Sequence, residues 1–412
     1  MTGGLAAYRI CNAMALDRNE PKDRPQHLPF ERPLVEIAEQ IQQLENLAQA
    51  NEMDFSEEIE NARRQHDRII REIFSRLSPW QRIMVARHPA RPQTADYLET
   101  TFDDFIELHG DKAFRDDPAV ACGFARLDGM KVMFIGQRKG RDTKESVEFN
   151  WGYPHPEGYR KALEKMKTAE KFGIPVVSLI DTKGAYPGIG AEERGQSGAI
   201  AKNLMEMAVL RVPIVCTVIS EGGSGGALGI GVGDRLLMLE HAYYSVISPE
   251  GCAAILWKDA SRKEEAAKAL RLTAQDLHLF GIVDEIIPEP GAAHLNPPRM
   301  SETLKEVLAK HVRELAKLDT DKLLELRYEK IRSIGIYRDG QTNVGGALRT
   351  DVDEFLEEAH TRARELEGVG AEKGSGVRPA VEPAAEPPAP IPEPPAQEPP
   401  PSPEPSRGPE KE

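Results

Sequence analysis

The residue types with the most chemical potential sit in Ser220-Glu-Gly-Gly-Ser-Gly-Gly-Ala-Leu-Gly-Ile-Gly-Val232. An apolar run, Pro213-Ile-Val-Cys-Thr-Val-Ile219, precedes it, and small residues able to wind into a helix follow. Bare backbone N–H groups at a strand-to-helix turn bind negative charge. Three readings compete. Glycines can simply permit close strand–helix packing. Gly222-Gly-Ser-Gly-Gly226 also satisfies G-x-S-x-G, which would make Ser224 a hydrolase nucleophile served by His241, His278 or His294 with Asp284. In the third reading the Gly-Gly pair offers two unobstructed amides as an oxyanion hole, each such donor being worth roughly 10²–10³ in rate. A second glycine-rich loop at 184–190 favours this last reading over the elbow.

Both loops follow strand patterns. Ile174–Ile180 is apolar throughout and leads into Asp181-Thr-Lys-Gly-Ala-Tyr-Pro-Gly-Ile-Gly190, then a helix from about 192 to 210; Val212–Ile219 leads into the first stretch and a second helix. Fully apolar strands alternating with helices predict an α/β fold whose sheet is covered on both faces, with the loops lining one crevice. Before them, Val120–Leu127, Asp-Gly and Met130–Gly136 spell a β-hairpin. The loop Gln137-Arg-Lys-Gly-Arg-Asp-Thr-Lys144 is basic and is compatible with a phosphate site or with a solvated turn. Residues 156–172 predict a helix with Tyr159, Leu163, Met166, Ala169 and Phe172 inward, a core stripe with no cofactor role. Short strands at 236–239, 243–247 and 282–287, and helices over 251–258, 263–280 and 301–331, complete the core.

At the N-terminus, Leu34, Ile37, Ile41, Leu44 and Ala48, then Ile59, Ala62, His66, Ile69, Ile73 and Leu77, recur in steps of three and four. They predict an antiparallel helical hairpin, with His66 structural because no second ligand is fixed at i+4. Prolines 79, 89 and 92 place a boundary near residue 95. The expected organisation is a hairpin region at 1–95, a catalytic α/β domain at 96–300, a helical segment at 301–350 and an acidic, proline-rich tail at 351–412. Within that tail a charged helix is expected over 351–366 and disorder from Arg378 onward.

The net charge of −14 is concentrated in the tail, where 15 acidic residues outnumber 6 basic ones. Nucleic acid is therefore an unpromising partner, since backbone binding needs a basic face. No apolar run approaches the roughly 20 residues that span a bilayer, and a signal-peptide layout is absent, so a soluble, cytoplasmic chain is expected. Cys11, Cys122, Cys216 and Cys252 are scattered without C-x-x-C spacing, which predicts free thiols and neither zinc nor disulfides.

Asp181-Thr-Lys-Gly-Ala-Tyr-Pro-Gly188, Gly190-Ala-Glu-Glu-Arg-Gly-Gln-Ser197, Val215–Leu228, Tyr244-Ser-Val-Ile-Ser-Pro-Glu-Gly-Cys-Ala-Ala-Ile-Leu-Trp-Lys258 and Ala86-Arg-His-Pro-Ala-Arg-Pro92 closely resemble the α subunit of the bacterial and plastid acetyl-CoA carboxylase carboxyltransferase, from the hairpin to about Tyr337. The resemblance implies a crotonase-like fold of the Clp protease/crotonase superfamily. It also implies an enzyme that moves a carboxyl group from carboxybiotin, on a biotin carboxyl carrier protein, to acetyl-CoA, forming malonyl-CoA in the first committed step of fatty acid biosynthesis. The implied partners are a β subunit of the same fold, commonly as α₂β₂, the carrier protein and biotin carboxylase, within an ATP-binding complex; zinc is expected in the β chain alone. Carried onto this sequence, Gly225 and Gly226 form the hole on the carboxybiotin side. Gly222, Gly223 and Ala227 shape that loop, and Gly184, Ala185, Tyr186 and Gly188 wall the crevice near biotin or the thioester. One departure stands out: Lys183 replaces the usual proline, which loosens the first turn and adds a charge. The tail lies outside the resemblance and receives no catalytic role.

Overall fold

The computed structural model describes residues 27–51, 54–335, 337–339 and 342–344. The expected helix over 351–366, the tail and Cys11 lie outside the described residues. The fold is α/β, as its alternating pattern requires. An eight-stranded sheet runs β1 (Asp103–Glu107), β2 (Val120–Leu127), β3 (Met130–Gln137), β4 (Val176–Thr182), β5 (Ile214–Gly223), β6 (Arg235–Leu239) and β8 (Glu285–Ile287), with β7 (Tyr243–Ser245) paired to the far end of β5. The β2–β3 hairpin is antiparallel, turning at Asp128-Gly129 with both residues at positive φ, whereas β3 through β6 and β8 are parallel. Every residue of β4 and β5 is buried, which accounts for the largely apolar sequence of their N-terminal parts at the centre of the sheet.

Helices α1 (Arg32–Asn51) and α2 (Ser56–Ser75) pack together as the predicted hairpin. Leu34 and Ile37 are buried, while Ile41, Leu44 and Ala48 are half-buried, so the stripe loosens toward the tip. Leu34, Phe74 and Leu77 share a small core with Val85 and Ala292. The half-buried His66 ring has Asp67 3.9 Å away. After α3 (Pro79–Ala86), the expected boundary near 95 falls inside α4 (Thr94–Thr101); Ile83 and Ala86 from the first and Tyr97 and Leu98 from the second enter the same core as the sheet.

Several expected helices are cut. Between α5 (Thr143–Glu148) and β4 lies α6 (Pro156–Phe172), whose stripe is buried except for Phe172, 62% exposed beside the left-handed cap Gly173. Gly195, at φ 79°, divides the helix expected over 192–210 into α7 (Ile189–Glu193) and α8 (Gln196–Ala208). After α9 (Ser224–Leu228) and α10 (Pro249–Trp257), the left-handed Arg271 divides 263–280 into α11 (Lys263–Leu270) and α12 (Ala274–Leu279), with the Thr273 side chain capping the second. The span 301–331 becomes α13 (Pro297–Leu315) and α14 (Thr320–Ser333), the latter capped by Asp319. No helix among the described residues is long and apolar enough to cross a membrane.

Arg327 of α14 is buried at 1% exposure beneath the sheet. It donates through Nε and Nη2 to the two Asp234 oxygens, each at 2.8 Å. It also donates to the carbonyls of Met207, Leu210 and Val212, so one side chain ties α14 to the end of α8 and the start of β5. Breaking a buried, fully bonded ion pair by deleting one partner costs about 3–5 kcal/mol. Arg327→Met is therefore expected to lower the unfolding free energy by that amount in urea titration, and Arg211→Met, an exposed pair with Asp321, by less than about 1 kcal/mol.

Candidate functional site

The two glycine loops leave the C-terminal ends of neighbouring parallel strands, β4 and β5, the end of an α/β sheet where ligands bind. They touch backbone to backbone. A Cβ on Gly223 would lie 2.2 Å from the carbonyl oxygen of Lys183, and one on Gly226 2.4 Å from the amide nitrogen of Ala185 and the carbonyl carbon of Gly184. Gly222 faces the Tyr244 ring, 2.7 Å from a would-be Cβ. Gly225 differs: its nearest neighbour would be Ile200 Cδ1 at 3.8 Å, ordinary contact. Crowding thus demands glycine at 222, 223 and 226, while position 225 has room for a methyl group.

Peptide groups on both sides of this contact are held. Gly226 O accepts from Gln137 Nε2 at 2.9 Å and from the Tyr159 hydroxyl at 3.2 Å; Gln137 Oε1 in turn accepts from Asp181 N at 3.1 Å. Ala227 is buried and Ser224 exposed, the latter at φ 53°. In the first loop Gly184 sits at φ 151°, Thr182 Oγ1 accepts from its N–H at 3.0 Å, and Tyr186 stacks on His155 with centroids 4.1 Å apart. Gly188 packs under the Tyr186 ring, and Ala185 is half-buried. The residues expected to build the site, Gly184, Ala185, Tyr186, Gly188, Gly222, Gly223, Gly225, Gly226 and Ala227, therefore belong to two loops that meet. The first N–H groups of α9 have no partner within their own helix.

The strand-turn-helix backbone with a serine at positive φ has the form of a nucleophile elbow, but the histidines and aspartate named as its partners bond elsewhere. His241 is buried between Arg82 and Gly291 O, His278 faces Val283 O, His294 pairs with Glu31, and Asp284 pairs with Lys330. Among the described residues no hydrogen bond joins Ser224 to a histidine.

Beneath the loops runs a buried charge network that sequence patterns did not expose. Lys139 Nζ lies 2.5 Å from Asp181 Oδ1, 2.7 Å from Glu221 Oε2 and 3.3 Å from Ser220 Oγ. Arg87 donates to Glu221 Oε1 and Glu250 Oε1, each at 2.7 Å, and to the Tyr243 hydroxyl at 2.9 Å. Burial pushes the Glu221 carboxyl up, but Lys139 and Arg87 overcome this and hold it well below the carboxylate range. Lys139 is likewise held above the usual lysine value by its two carboxylates, against burial. The loop 137–144 divides: Gln137 and Lys139 turn inward toward the glycine loops and Arg138 pairs with Glu107, whereas 141–144 are exposed as a solvated turn would be, Arg141 pairing with Asp96. Long-range pairs of this kind carry no local signature beyond the basic composition of the loop.

Arg91 extends the network, donating to Ile219 O and, at 2.6 and 2.9 Å, to both oxygens of the buried Glu289. A second cluster, Glu31, His88 and His294, gathers three potential metal donors. His294 Nε2 is 2.9 Å from Glu31, and the two imidazoles stack at 3.8 Å. His88 Nδ1 accepts from Ala90 N at 3.1 Å, which leaves the proton of the neutral ring on Nε2, the nitrogen facing Glu31. Glu31 is thus hydrogen-bonded to His294 and lies 3.8 Å from His88 Nε2. Cys122, Cys216 and Cys252 are buried free thiols, and burial pushes the first two up to about 12.

Two outcomes follow. Gly226→Ala forces the first loop away and is expected to cost about 1–3 kcal/mol in urea unfolding, whereas Gly225→Ala is expected to stay within about 0.5 kcal/mol. Glu289, raised by burial yet brought down to about 2 by Arg91, has a depressed folded pKa. Its contribution is complete above its ordinary value of 4.5 and is lost as pH falls toward about 2. Unfolding free energy is therefore expected to drop on acidification across that window, and Glu289→Gln to flatten the drop.

Residues 27–335 match the family described as acetyl co-enzyme A carboxylase carboxyltransferase-like. The acetyl-coenzyme A carboxylase carboxyl transferase subunit alpha of Methylococcus capsulatus is 54% identical over 316 residues, covering 76% of this chain and 98% of that protein. That of Anoxybacillus flavithermus is 52% identical over 318 residues, covering 77% and 98%. Transcarboxylase 12S, a solved structure, has 22% identity and a TM-score of 0.43, covering 54% of this chain and 42% of that one. On the sequence match across the whole of the described α/β unit, the chain belongs to the acetyl-CoA carboxylase carboxyltransferase α-subunit family.

Proposed function

We propose that this chain supplies the carboxybiotin half of a carboxyltransferase site. In this reading the carboxyl group leaves N1 of biotin and joins the methyl carbon of acetyl-CoA. The N1–carboxyl bond breaks with its electron pair left on the urea, a carbon–carbon bond forms, and the methyl proton passes to the urea nitrogen. The main task of the protein is then to stabilise oxyanions on the urea and on the thioester. Gly225 and Gly226 present amides to the first, and a β chain presents its equivalent pair to the second. Carboxybiotin arrives on a carrier protein as a substrate, and this chain holds no cofactor of its own. The assembly is an α₂β₂ enzyme of the cytoplasm, working with biotin carboxylase in an ATP-consuming complex.

The observation that carries this reading is the pair of glycine loops locked together at adjacent strand ends, with the Gly226 carbonyl held by Gln137 and Tyr159. Family membership supports the reaction class. Ser224 adopts the elbow backbone, so a nucleophilic serine is the specific rival.

The chain alone is expected to make no malonyl-CoA from carboxylated carrier and acetyl-CoA, and to make it once a β subunit is added; malonyl-CoA from the chain alone would defeat the proposal. Ser224→Gly removes the hydroxyl and relaxes a positive φ. Transfer within about threefold of the parent is expected, because no step uses the hydroxyl; near-total loss with the fold intact would restore the nucleophile.

A further inference from the structure

The β4–β5 ladder is interrupted where the two loops begin. Ile180 pairs with Val218, but Thr182 pairs with Gly222, so the register slips across Asp181 and three residues of β5 stand opposite one of β4. Such bulges re-aim side chains beside functional sites. Here the slip brings the carboxylates of Asp181 and Glu221 together: Asp181 Oδ1 accepts from Glu221 N at 3.3 Å, and both carboxylates are at most 2% exposed. Two buried carboxylates sharing one site repel unless a cation lies between them. Among the described residues Lys139 is the cation that touches both, and it arrives from a third strand end, just after β3. Arg87 meets Glu221 from the other side but contacts Glu250 and Tyr243 rather than Asp181.

We infer that Lys139 is a positioning residue, a cationic tie that replaces the missing ladder bonds and sets the spacing of the two glycine loops. The gap it controls is small: Gly223 and Gly226 already lie against the backbone of residues 183–185 with no room for a methyl group. Slackening at Asp181 or Glu221 is transmitted within two residues to those contacts. The inference rests on the proposed carboxyl transfer only for its kinetic readout.

The test uses the full chain with its β partner and three variants, Lys139→Met, Lys139→Arg and Asp181→Asn, followed by amide hydrogen exchange and by transfer kinetics. In Lys139→Met, exchange is expected to rise about tenfold or more in peptides spanning 183–186 and 222–227 while α13 stays protected. The kcat per folded complex is expected to fall about a hundredfold, with KM for acetyl-CoA changed less than about threefold. Lys139→Arg keeps the charge and is expected to recover most of both. Unchanged loop exchange in folded Lys139→Met, or a rise spread evenly over the molecule, overturns the inference. Should Lys139→Met fail to fold, Asp181→Asn decides: it cuts the tie on the β4 side alone, and unchanged exchange in the two loops overturns the inference there too. If the parent complex makes no malonyl-CoA, the proposed function fails while the exchange measurement still judges the tie.

Discussion

Everything around the crevice depends on two backbones lying closer than any side chain would permit. Gly223 and Gly226 meet Lys183, Gly184 and Ala185 without an intervening Cβ, and the peptides on either side are clamped rather than free to settle. Gln137 bridges the second loop to Asp181 at the end of β4, Tyr159 reaches the same Gly226 carbonyl from α6, and Asn203 of α8 donates to the carbonyls of Gly229 and Tyr159. Such clamping matters because amides stabilise a developing charge well only if they need not reorganise to do so.

Support for the loops extends far outside them. The segment between α3 and α4, Arg87 to Pro92, spreads its basic residues over several elements: Arg87 on Glu221 and Glu250, His88 against His294, and Arg91 on Glu289 and the Ile219 carbonyl. Ser220 adds a hydroxyl donated to Ala86 O at 2.7 Å. The N-terminal region is therefore fastened to the far end of β5 as well as to its own hairpin core. The cost of burying so many charges is offset only because each finds several partners.

The sheet was legible because its central strands begin as apolar runs, and the loops were legible because glycine clusters follow those runs directly. The sequence points to Gly225 and Gly226 as an oxyanion hole and to Gly222, Gly223 and Ala227 as shaping the loop, and the geometry adds a reason it could not show: a side chain at 223 or 226 would strike the neighbouring loop. Helix ends were misplaced wherever one left-handed residue, Gly195 or Arg271, broke a pattern whose periodicity continues on both sides. β1 escaped notice because an exposed edge strand, Asp-Asp-Phe-Ile-Glu, has no apolar alternation to show. Gln137, Lys139 and Arg87 were hidden for a different reason: their partners lie some 40 to 160 positions away. Only the bias toward basic residues hinted at a buried counter-charge.

The contact between Gly226 and residues 184–185 also restricts how this protein can diverge. A side chain added at 223 or 226 has nowhere to go unless the other loop retreats, and that loop is held at Thr182 and Pro154. Neither loop can therefore drift alone: an altered length or shape in one is viable only with a matching change in the other. The two segments, some forty residues apart in the gene product, are bound to be inherited as a single unit of variation.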